Sequence, residues 1–194
     1  MTRALDMATF GQSASSGAIL QVQSFAYTDD NKSGTGATFA DTGLTVSITP
    51  TATSSKIMVM AQVSMGASTN YRFAIRLVRG STNIFVGDSS GTRTLATGGY
   101  QGSGENMIDE TFPVTFLDSP STTSATTYKI QAAAEQSGGS WYLNRGASQS
   151  DNSTVYVVAS SITVMEVLSL FQVVHILLKM LLTTKIVGIV LGTM

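Results

Sequence analysis

The side chains that usually perform catalysis are scarce in this sequence. Cysteine is absent, and the only histidine is His175, close to the carboxyl terminus. A Ser-His-Asp triad, a Cys-His pair or a histidine metal site therefore cannot form in the part of the chain that precedes it. The spacing of the acidic residues does not pair two of them as a glycosidase requires, so we predict a protein without catalytic residues, not an enzyme. These scattered carboxylates include Glu105, Asp109, Glu110, Asp118, Glu135 and Glu166.

One acidic stretch has the spacing that begins a calcium-binding loop. Asp29, Asn31 and Ser33 alternate and Gly34 follows, so their side-chain oxygens could converge on one cation. The twelfth position of such a loop supplies a bidentate glutamate, whereas this chain has Ala40 there. We therefore interpret the stretch as an ordinary turn, and we predict neither a metal nor another cofactor.

Aromatic residues beside glycine-rich turns suggest a second kind of site, one that binds sugars. Trp141 and Tyr142 lie in GGSWYLNRG, and Tyr100 lies in TGGYQGSG. Exposed rings could stack on sugar faces while neighbouring polar side chains make hydrogen bonds. A lone tryptophan in a β protein usually packs in the core, and that alternative stays open. The candidate glycan contacts are Tyr100, Trp141, Tyr142, Asn144 and Arg145, with Arg93 as a further polar neighbour.

The composition is typical of an all-β chain with many turns. Charged residues make up 12% of the 194 residues, against about 25% in an average protein. Serine and threonine contribute 51 residues, and β-branched residues are plentiful. The net charge is −1, so the chain has no basic footprint for nucleic acid. The length fits one domain of ordinary size.

Alternation of apolar and polar residues with a period of two runs from Ala18 to Val167. In YRFAIRLV, for example, Phe73, Ile75 and Leu77 share one face of the segment. This pattern indicates strands with one buried face. About ten such strands predict an all-β, jelly-roll-like antiparallel β-sandwich over residues 18–167. The predicted strands are 18–27, 44–49, 55–64, 71–78, 82–87, 106–117, 127–136, 140–144, 154–159 and 161–167.

Two details of the predicted strands constrain the sheets. Pro113 lacks the backbone N–H that a central strand needs, so its strand should lie at an edge or carry a bulge. The outward set Arg72, Arg76 and Arg79 is interpreted either as a solvated face or as the polar rim of a subunit interface.

Two segments flank the predicted sandwich. Residues 1–17 are mostly small or polar and are expected to be a flexible arm. Residues 168–194 contain no acidic residue and are long enough to span a bilayer. However, His175, Lys179 and Lys185 lie within them, and placing such ionisable side chains inside a bilayer costs free energy. Read as a helix, the first part of this hydrophobic tail carries a narrow polar stripe. We expect the tail to dock on neighbouring copies or on a larger assembly; membrane contact and a segment that adds nothing to the fold remain alternatives.

The order of several short phrases is similar to that of one known group of proteins. Over residues 3–167, the chain resembles small β-sandwich virion structural or tail-fibre-like proteins of tailed bacteriophages. The jelly-roll heads of that group are similar to the trimeric heads of the complement C1q and tumour necrosis factor type. The phrases that carry the resemblance are RALD, SSGAILQVQS, GLTVSITPTATSSKIMVMAQV, RLVRGST, FLDSPSTTSATTYKIQ and SSITVMEV.

This resemblance implies a homotrimer displayed on the capsid or tail of a virion. Its expected role is structural, as a capsid decoration protein or as the head of a tail fibre or tip, and its expected partners are copies of itself and other phage virion proteins. A carbohydrate-binding module that attaches the particle to a host-surface glycan is the alternative function. The resemblance implies no catalytic residue.

Overall fold

The computed structural model describes residues 18–68, 72–100, 110–134, 138–147, 150, 151, 153, 155–168, 174, 178 and 179. Within residues 18–168 the regular elements that it describes are all strands, so the chain is all-β as predicted. These strands are β1 (Ile19–Tyr27), β2 (Ser33–Thr35), β3 (Ala40–Ile48), β4 (Lys56–Ala67), β5 (Phe73–Arg79), β6 (Thr82–Ile84), β7 (Gly98–Tyr100), β8 (Glu110–Asp118), β9 (Thr126–Ala134), β10 (Ser140–Leu143) and β11 (Ser160–Val167).

The strands form two antiparallel sheets. The first sheet has the order β1, β11, β4, β10, β2, and β8 pairs with the opposite edge of β4. The second sheet has the order β3, β9, β5, β6, and β7 pairs with β5 beside β6. The connection from β3 to β4 and that from β8 to β9 cross between the sheets. The two sheets therefore enclose one core as a sandwich.

The strand pairs are nested along the sequence. Strand β1 pairs with β11, β3 with β9, β4 with β8, and β5 with both β6 and β7. Nested antiparallel pairs result when one long hairpin is folded over on itself, which is the jelly-roll arrangement. The structure thus confirms the jelly-roll-like antiparallel sandwich.

The predicted alternation builds the core. In β5, Phe73, Ile75 and Leu77 point inwards and are buried, as predicted. Burial of each large apolar side chain contributes about 2 kcal/mol to the free energy of unfolding. These three residues share one core with inward side chains from both sheets, among them Leu44, Ile57, Val59, Val63, Val114, Tyr128, Ile130, Ile162 and Val164.

Strand boundaries differ from the predictions where the local pattern is weak. Of the predicted strand 154–159, the structure describes 155–159 and shows no strand there, with Tyr156 and Val157 exposed. The short strands β2 and β7 were not predicted, because they contain no alternating apolar residues and depend on neighbours from distant parts of the chain. Pro113 lies on β8, which pairs only with β4 among the described strands, so the predicted edge position is confirmed.

Both flanking segments fall largely outside the described residues. The predicted arm at 1–17 lies there entirely, as does the predicted helical tail apart from Leu168 and residues 174, 178 and 179. Leu168 is buried, and its N–H donates to the carbonyl of Ala18 at 2.8 Å. In the part of the chain that the structure describes, no helix has the length and apolar character needed to cross a bilayer.

Candidate functional site

The side of the first sheet that faces away from the core carries a row of apolar residues across four strands. The strand register places Val22 of β1 opposite Met165 of β11, and Met165 opposite Met58 of β4. Leu117 of β8 lies opposite Met58 on its other side. Met58, Met165 and Leu117 point outwards because their neighbours along each strand are turned towards the core, and Val22 shares their face because it lies opposite Met165.

Two more rows extend this surface. The second row contains Ser24, Thr163, Met60 and Thr115, and the third contains Ala26, Ser161, Gln62 and Pro113. None of the twelve residues in the three rows is charged. Met60 is 45% exposed, Leu117 48% and Val22 49%, so this surface contacts solvent. We call these twelve positions the outer face.

The outer face is broad and carries no acidic or basic side chain. Four strands about 4.8 Å apart and three rows about 6.8 Å apart give it an area of about 400 Å². A shallow depression of about 470 Å³ on it is lined by Met60, Gln62, Pro113 and Met165, among others. Its hydroxyl and amide groups cost little to desolvate when they can be paired, and it contains no charge whose burial would be costly. This arrangement suits contact with another protein surface.

Sequence analysis did not identify the outer face, although a signal for it exists. In KIMVMAQV, the outward positions of β4 begin with Met58 and Met60, where a solvated strand face usually has polar residues. Apolar residues on both faces of one strand indicate that both faces are covered. The clustering itself depends on the register of four strands from distant parts of the chain.

Trp141 was predicted as an exposed ring for sugar contacts, and that prediction is wrong. The side chain is 1% exposed and packs in the core, which is the alternative that the sequence left open. Its indole ring covers Gly34 of β2, where an added Cβ would lie 2.5 Å from the ring. The indole Nε1 has no hydrogen-bond partner among the described residues.

Asn144 and Arg145 are also buried, contrary to their predicted role as exposed polar contacts. The Asn144 amide donates to the carbonyls of Tyr27 and Asp29, and its oxygen accepts from the Ser160 hydroxyl. Arg145 donates from Nε to the carbonyl of Asp30 at 2.8 Å. Both side chains satisfy backbone carbonyls that the loop after β1 would otherwise leave unpaired.

Tyr142 and Tyr100 are partly exposed, but they lie in different sheets. The Arg145 guanidinium lies over the Tyr142 ring, 4.1 Å from its centroid, and so covers one face of it. Tyr100 stacks on Phe73 at the end of β7, with 6.3 Å between ring centroids. The structure therefore does not assemble the five predicted glycan contacts into one exposed surface, and sugar binding by the two tyrosines stays a prediction.

The buried carboxylates bind neighbouring parts of the fold. Glu166 is fully buried and accepts hydrogen bonds from the Gln21 side chain, from the Ser55 hydroxyl and from both the N–H and the hydroxyl of Thr51. Burial acts to raise the pKa of Glu166, but these hydrogen bonds outweigh it and lower the pKa below its ordinary value. Through its bonds to Thr51 and Ser55, Glu166 fastens the loop between β3 and β4 to the first sheet.

The arginines predicted as an outward set have different surroundings. Arg76 donates to the Gln131 side chain at 2.8 Å and lies over the Phe39 ring at 4.2 Å. Gln131 in turn donates to Asp41, and the hydrogen bonds of Lys129 and Gln131 lower the pKa of Asp41. Arg79 is partly exposed and binds Asp118, a carboxylate of the other sheet. The prediction that the three arginines form one outward set, as a solvated face or as the rim of an interface, is therefore wrong for Arg79.

In the stretch with calcium-loop spacing, several oxygen atoms accept hydrogen bonds from other residues of the chain. The Asn31 side chain accepts from the Tyr27 hydroxyl at 3.1 Å, and the carbonyls of Asp29 and Asp30 accept from Asn144 and Arg145. Among the described residues, no group of three or more His, Cys, Asp or Glu side chains is placed to hold a metal ion.

Comparison with known proteins does not assign the chain to a family. No protein-family model matches it, and no curated protein matches it. Among solved structures, dimeric latent PorU from Porphyromonas gingivalis is similar with a TM-score of 0.31 and 7% sequence identity. That match covers 79% of this chain and 14% of the PorU chain.

Proposed function

We propose that this chain is a non-enzymatic virion structural protein of a tailed phage, displayed on the capsid or tail surface. In this proposal it acts through contacts between β-sandwich domains, and its copies form a homotrimer. The observation that carries the proposal is the outer face, where three rows across four strands contain no charged residue.

The size and chemistry of the outer face support self-association. In a ring of three copies, each contact joins two different surfaces of the chain. A stable interface takes about 800 Å² from each partner, and the outer face supplies about half of that area. The interface would be bordered by Lys56, whose Nζ donates to Ser119, and by the exposed Glu110 at the start of β8. An apolar centre with a polar rim is the usual anatomy of protein interfaces.

The placement on a virion is supported by the resemblance of residues 3–167 to tailed-phage structural proteins. A capsid decoration protein and a tail-fibre head would both use a rigid sandwich to present loops while one face packs against other coat proteins. The exposed Tyr156 and Val157 lie on one such loop, before β11. A cryo-EM map of particles that carry the chain would show whether it lies on the capsid or the tail. Absence of the chain from purified particles would contradict the proposal.

The self-association step is tested by light scattering of the full-length chain after size-exclusion chromatography. We expect the wild type to have three times the mass of one chain. Met60→Glu places a charge at the centre of the outer face, next to Thr163 and Thr115, and should dissociate the trimer. Asn83→Glu adds the same charge at an exposed position of β6 in the second sheet and should leave the trimer intact.

Circular dichroism shows whether the variants remain folded. We expect Met60→Glu to fold, because Met60 points away from the core. A monomeric wild-type chain would contradict the trimer, and a Met60→Glu variant that keeps the trimer mass would show that the outer face is not the contact surface. Dissociation by both variants would contradict an effect specific to the outer face.

A further inference from the structure

Six of the described strands lie at the edges of the two sheets, and five of them have a feature that hinders pairing with another chain. Strands β2, β6 and β7 are only three residues long. Strand β8 contains Pro113, and β3 has a register shift between Asp41 and Thr45 around Gly43, whose φ is +88°. Short strands, prolines and bulges are the usual means by which proteins protect sheet edges.

The sixth edge strand, β1, is long and has neither a charged residue nor a proline. It contains nine residues, and among the described strands it pairs only with β11. Its register with β11 shifts between Ile19 and Gln21, and Gln21–Tyr27 then form a regular stretch of seven residues. In an antiparallel pair, alternate backbone N–H and C=O groups point away from the partner strand, and on an edge strand they can bind a further strand.

Apolar side chains are exposed on both faces of β1. Val22, on the outer face, is 49% exposed. Phe25 lies opposite the buried Ile162 and therefore belongs to the face turned towards the core, yet it is 39% exposed. Apolar residues on both faces are typical of a strand that is covered on both sides within a sheet. Strand β1 thus has the composition of an internal strand, although it lies at an edge.

We propose that β1 pairs antiparallel with β1 of a second copy of this chain, so that the first sheets of the two copies become one continuous sheet. A two-fold axis perpendicular to the sheet relates the copies and keeps outward residues opposite outward residues. The register that pairs all seven regular residues places this axis at Ser24, the central one. Val22 then lies opposite the partner's Ala26, and Gln23 lies opposite the partner's Phe25.

The charges near β1 are compatible with this pairing. The nearest acidic residues along the chain, Asp29 and Asp30, follow the end of the strand. In the proposed register the two Tyr27 residues, which precede these acids, are about 20 Å apart along the strands, and charges are screened over about 8 Å at physiological ionic strength. Like charges therefore do not face each other across the strand pair.

The size of the contact sets where it forms. Seven residues extend about 24 Å and a sheet is about 10 Å thick, so the edge offers about 240 Å², against about 800 Å² per partner in a stable interface. We therefore expect the pairing where copies are crowded, as on a particle surface, and not in dilute solution. It uses the backbone of the edge and leaves the outer face on the surface, so it does not depend on the trimer.

Single cysteines test which residues meet, because the wild-type chain contains none. In the full-length chain, Ser24→Cys places two thiols opposite each other at a Cα separation of about 4.5–5.5 Å, which a disulfide can bridge. We expect disulfide-linked dimers on mild oxidation at millimolar chain concentration. They should form about tenfold or more faster than in Ser47→Cys, the same substitution at an exposed position of the β3 edge.

A second cysteine position on the same strand tests the register. Two Val22 residues would be about 14 Å apart, too far for a disulfide, so Val22→Cys alone should react no faster than Ser47→Cys. An equal mixture of Val22→Cys and Ala26→Cys chains should form the mixed dimer at a rate close to that of Ser24→Cys.

Light scattering provides a measurement without thiols. The mass of the wild-type chain at millimolar concentration should exceed its mass in dilute solution by about twofold or more. Ser24→Lys puts two like charges directly opposite each other and should keep the dilute mass at both concentrations. Met60→Glu changes the outer face alone and should retain the increase. Since the readout is a ratio of masses, a failure of the proposed trimer does not affect it.

Circular dichroism confirms that each variant is folded before these measurements. The proposal is overturned if Ser24→Cys forms disulfides no faster than Ser47→Cys, or if Val22→Cys forms them as fast as Ser24→Cys, because both results would indicate random collisions. Equal masses of the wild type at both concentrations would also overturn it. Slow hydrogen exchange of every β1 amide in the dilute wild type would show that another part of the same chain covers the edge, which contradicts pairing between copies.

Discussion

Arg79, at the end of β5 in the second sheet, donates from Nη1 to both carboxylate oxygens of Asp118, at the end of β8 in the first sheet, at 2.8 Å each. The Tyr128 hydroxyl donates to the same carboxylate at 2.7 Å. Burial raises the pKa of Tyr128, and the hydrogen bond to Asp118 raises it further, so the phenol stays a donor at neutral pH. These three side chains tie the two sheets together.

Removing one partner of this buried group should be costly. Arg79→Met leaves the buried Asp118 carboxylate without its cation, and we expect the free energy of unfolding to fall by about 3 kcal/mol. The matched control is Lys129→Met, because Lys129 pairs with the exposed Asp41 at 2.9 Å. Exposed pairs contribute less than about 1 kcal/mol. Urea denaturation measures both variants, and equal losses would show that burial does not distinguish the two pairs.

The pKa of Glu166 predicts how stability depends on pH. The pKa in the folded state lies below the ordinary value of 4.5, so unfolding takes up a proton in acid. The stabilisation is therefore complete above about pH 4.5 and is lost as the pH falls through the lowered folded-state value. Urea denaturation between pH 7 and pH 3 should show this decrease.

The variant Glu166→Gln separates this carboxylate from the other acidic residues. Its amide group would replace an oxygen that accepts from neutral donors, so we expect a loss of about 2–3 kcal/mol at pH 7. The difference in stability between wild type and variant should shrink as the pH falls below 4.5. A difference that stays constant down to pH 3 would show that Glu166 does not carry this dependence.

Asn144 has a backbone φ of +64°, and the residue is fully buried. Asn144→Gly keeps the backbone conformation but removes the hydrogen bonds to Tyr27, Asp29 and Ser160. Asn144→Ala removes the bonds and adds strain at a positive φ, so it should be less stable than Asn144→Gly by about 1 kcal/mol. Thermal unfolding measures the order of stability. The reverse order would mean that the positive φ does not set the relative stability of the two variants.

The fluorescence of the single tryptophan measures how deeply its ring is buried. Trp141 should emit at short wavelength and resist quenching by iodide, because its ring is 1% exposed. Gly34→Ala would place a methyl group 2.5 Å from that ring. We expect this variant to lose about 1–3 kcal/mol of stability and to change the emission. Gly87→Ala, where an added Cβ has nothing within 4 Å, is the control and should change neither. Strong iodide quenching of the wild type would contradict the buried position.

The tail can be tested by ending the chain after Leu168. The buried residues of the described sandwich lie at or before Leu168, so the shortened chain should unfold at the wild-type temperature. If the tail docks on a particle, the shortened chain should no longer attach. Attachment that stays unchanged would remove the docking role from residues 169–194.

The strands with strong alternation were predictable from local pattern. β4, β5 and β9 match their predicted positions closely, because each carries a continuous row of inward apolar residues. The candidate site was much less predictable. Met58 and Met60 stand out in the sequence, but Met165 and Leu117, the partners of Met58, come from segments far along the chain. Trp141 and Asn144 were assigned to a surface because glycines and polar residues surround them in the sequence.

The sequence by itself determined that the chain is built of two-faced strands and that its body has neither a thiol nor an imidazole for catalysis. Both conclusions follow from residue type and from a period of two, which are local properties. Only the tertiary structure decided which outward residues gather on one face and which polar residues are buried. Those outcomes depend on pairings such as Val22 with Met165, whose partners are brought together by the fold and not by proximity in sequence.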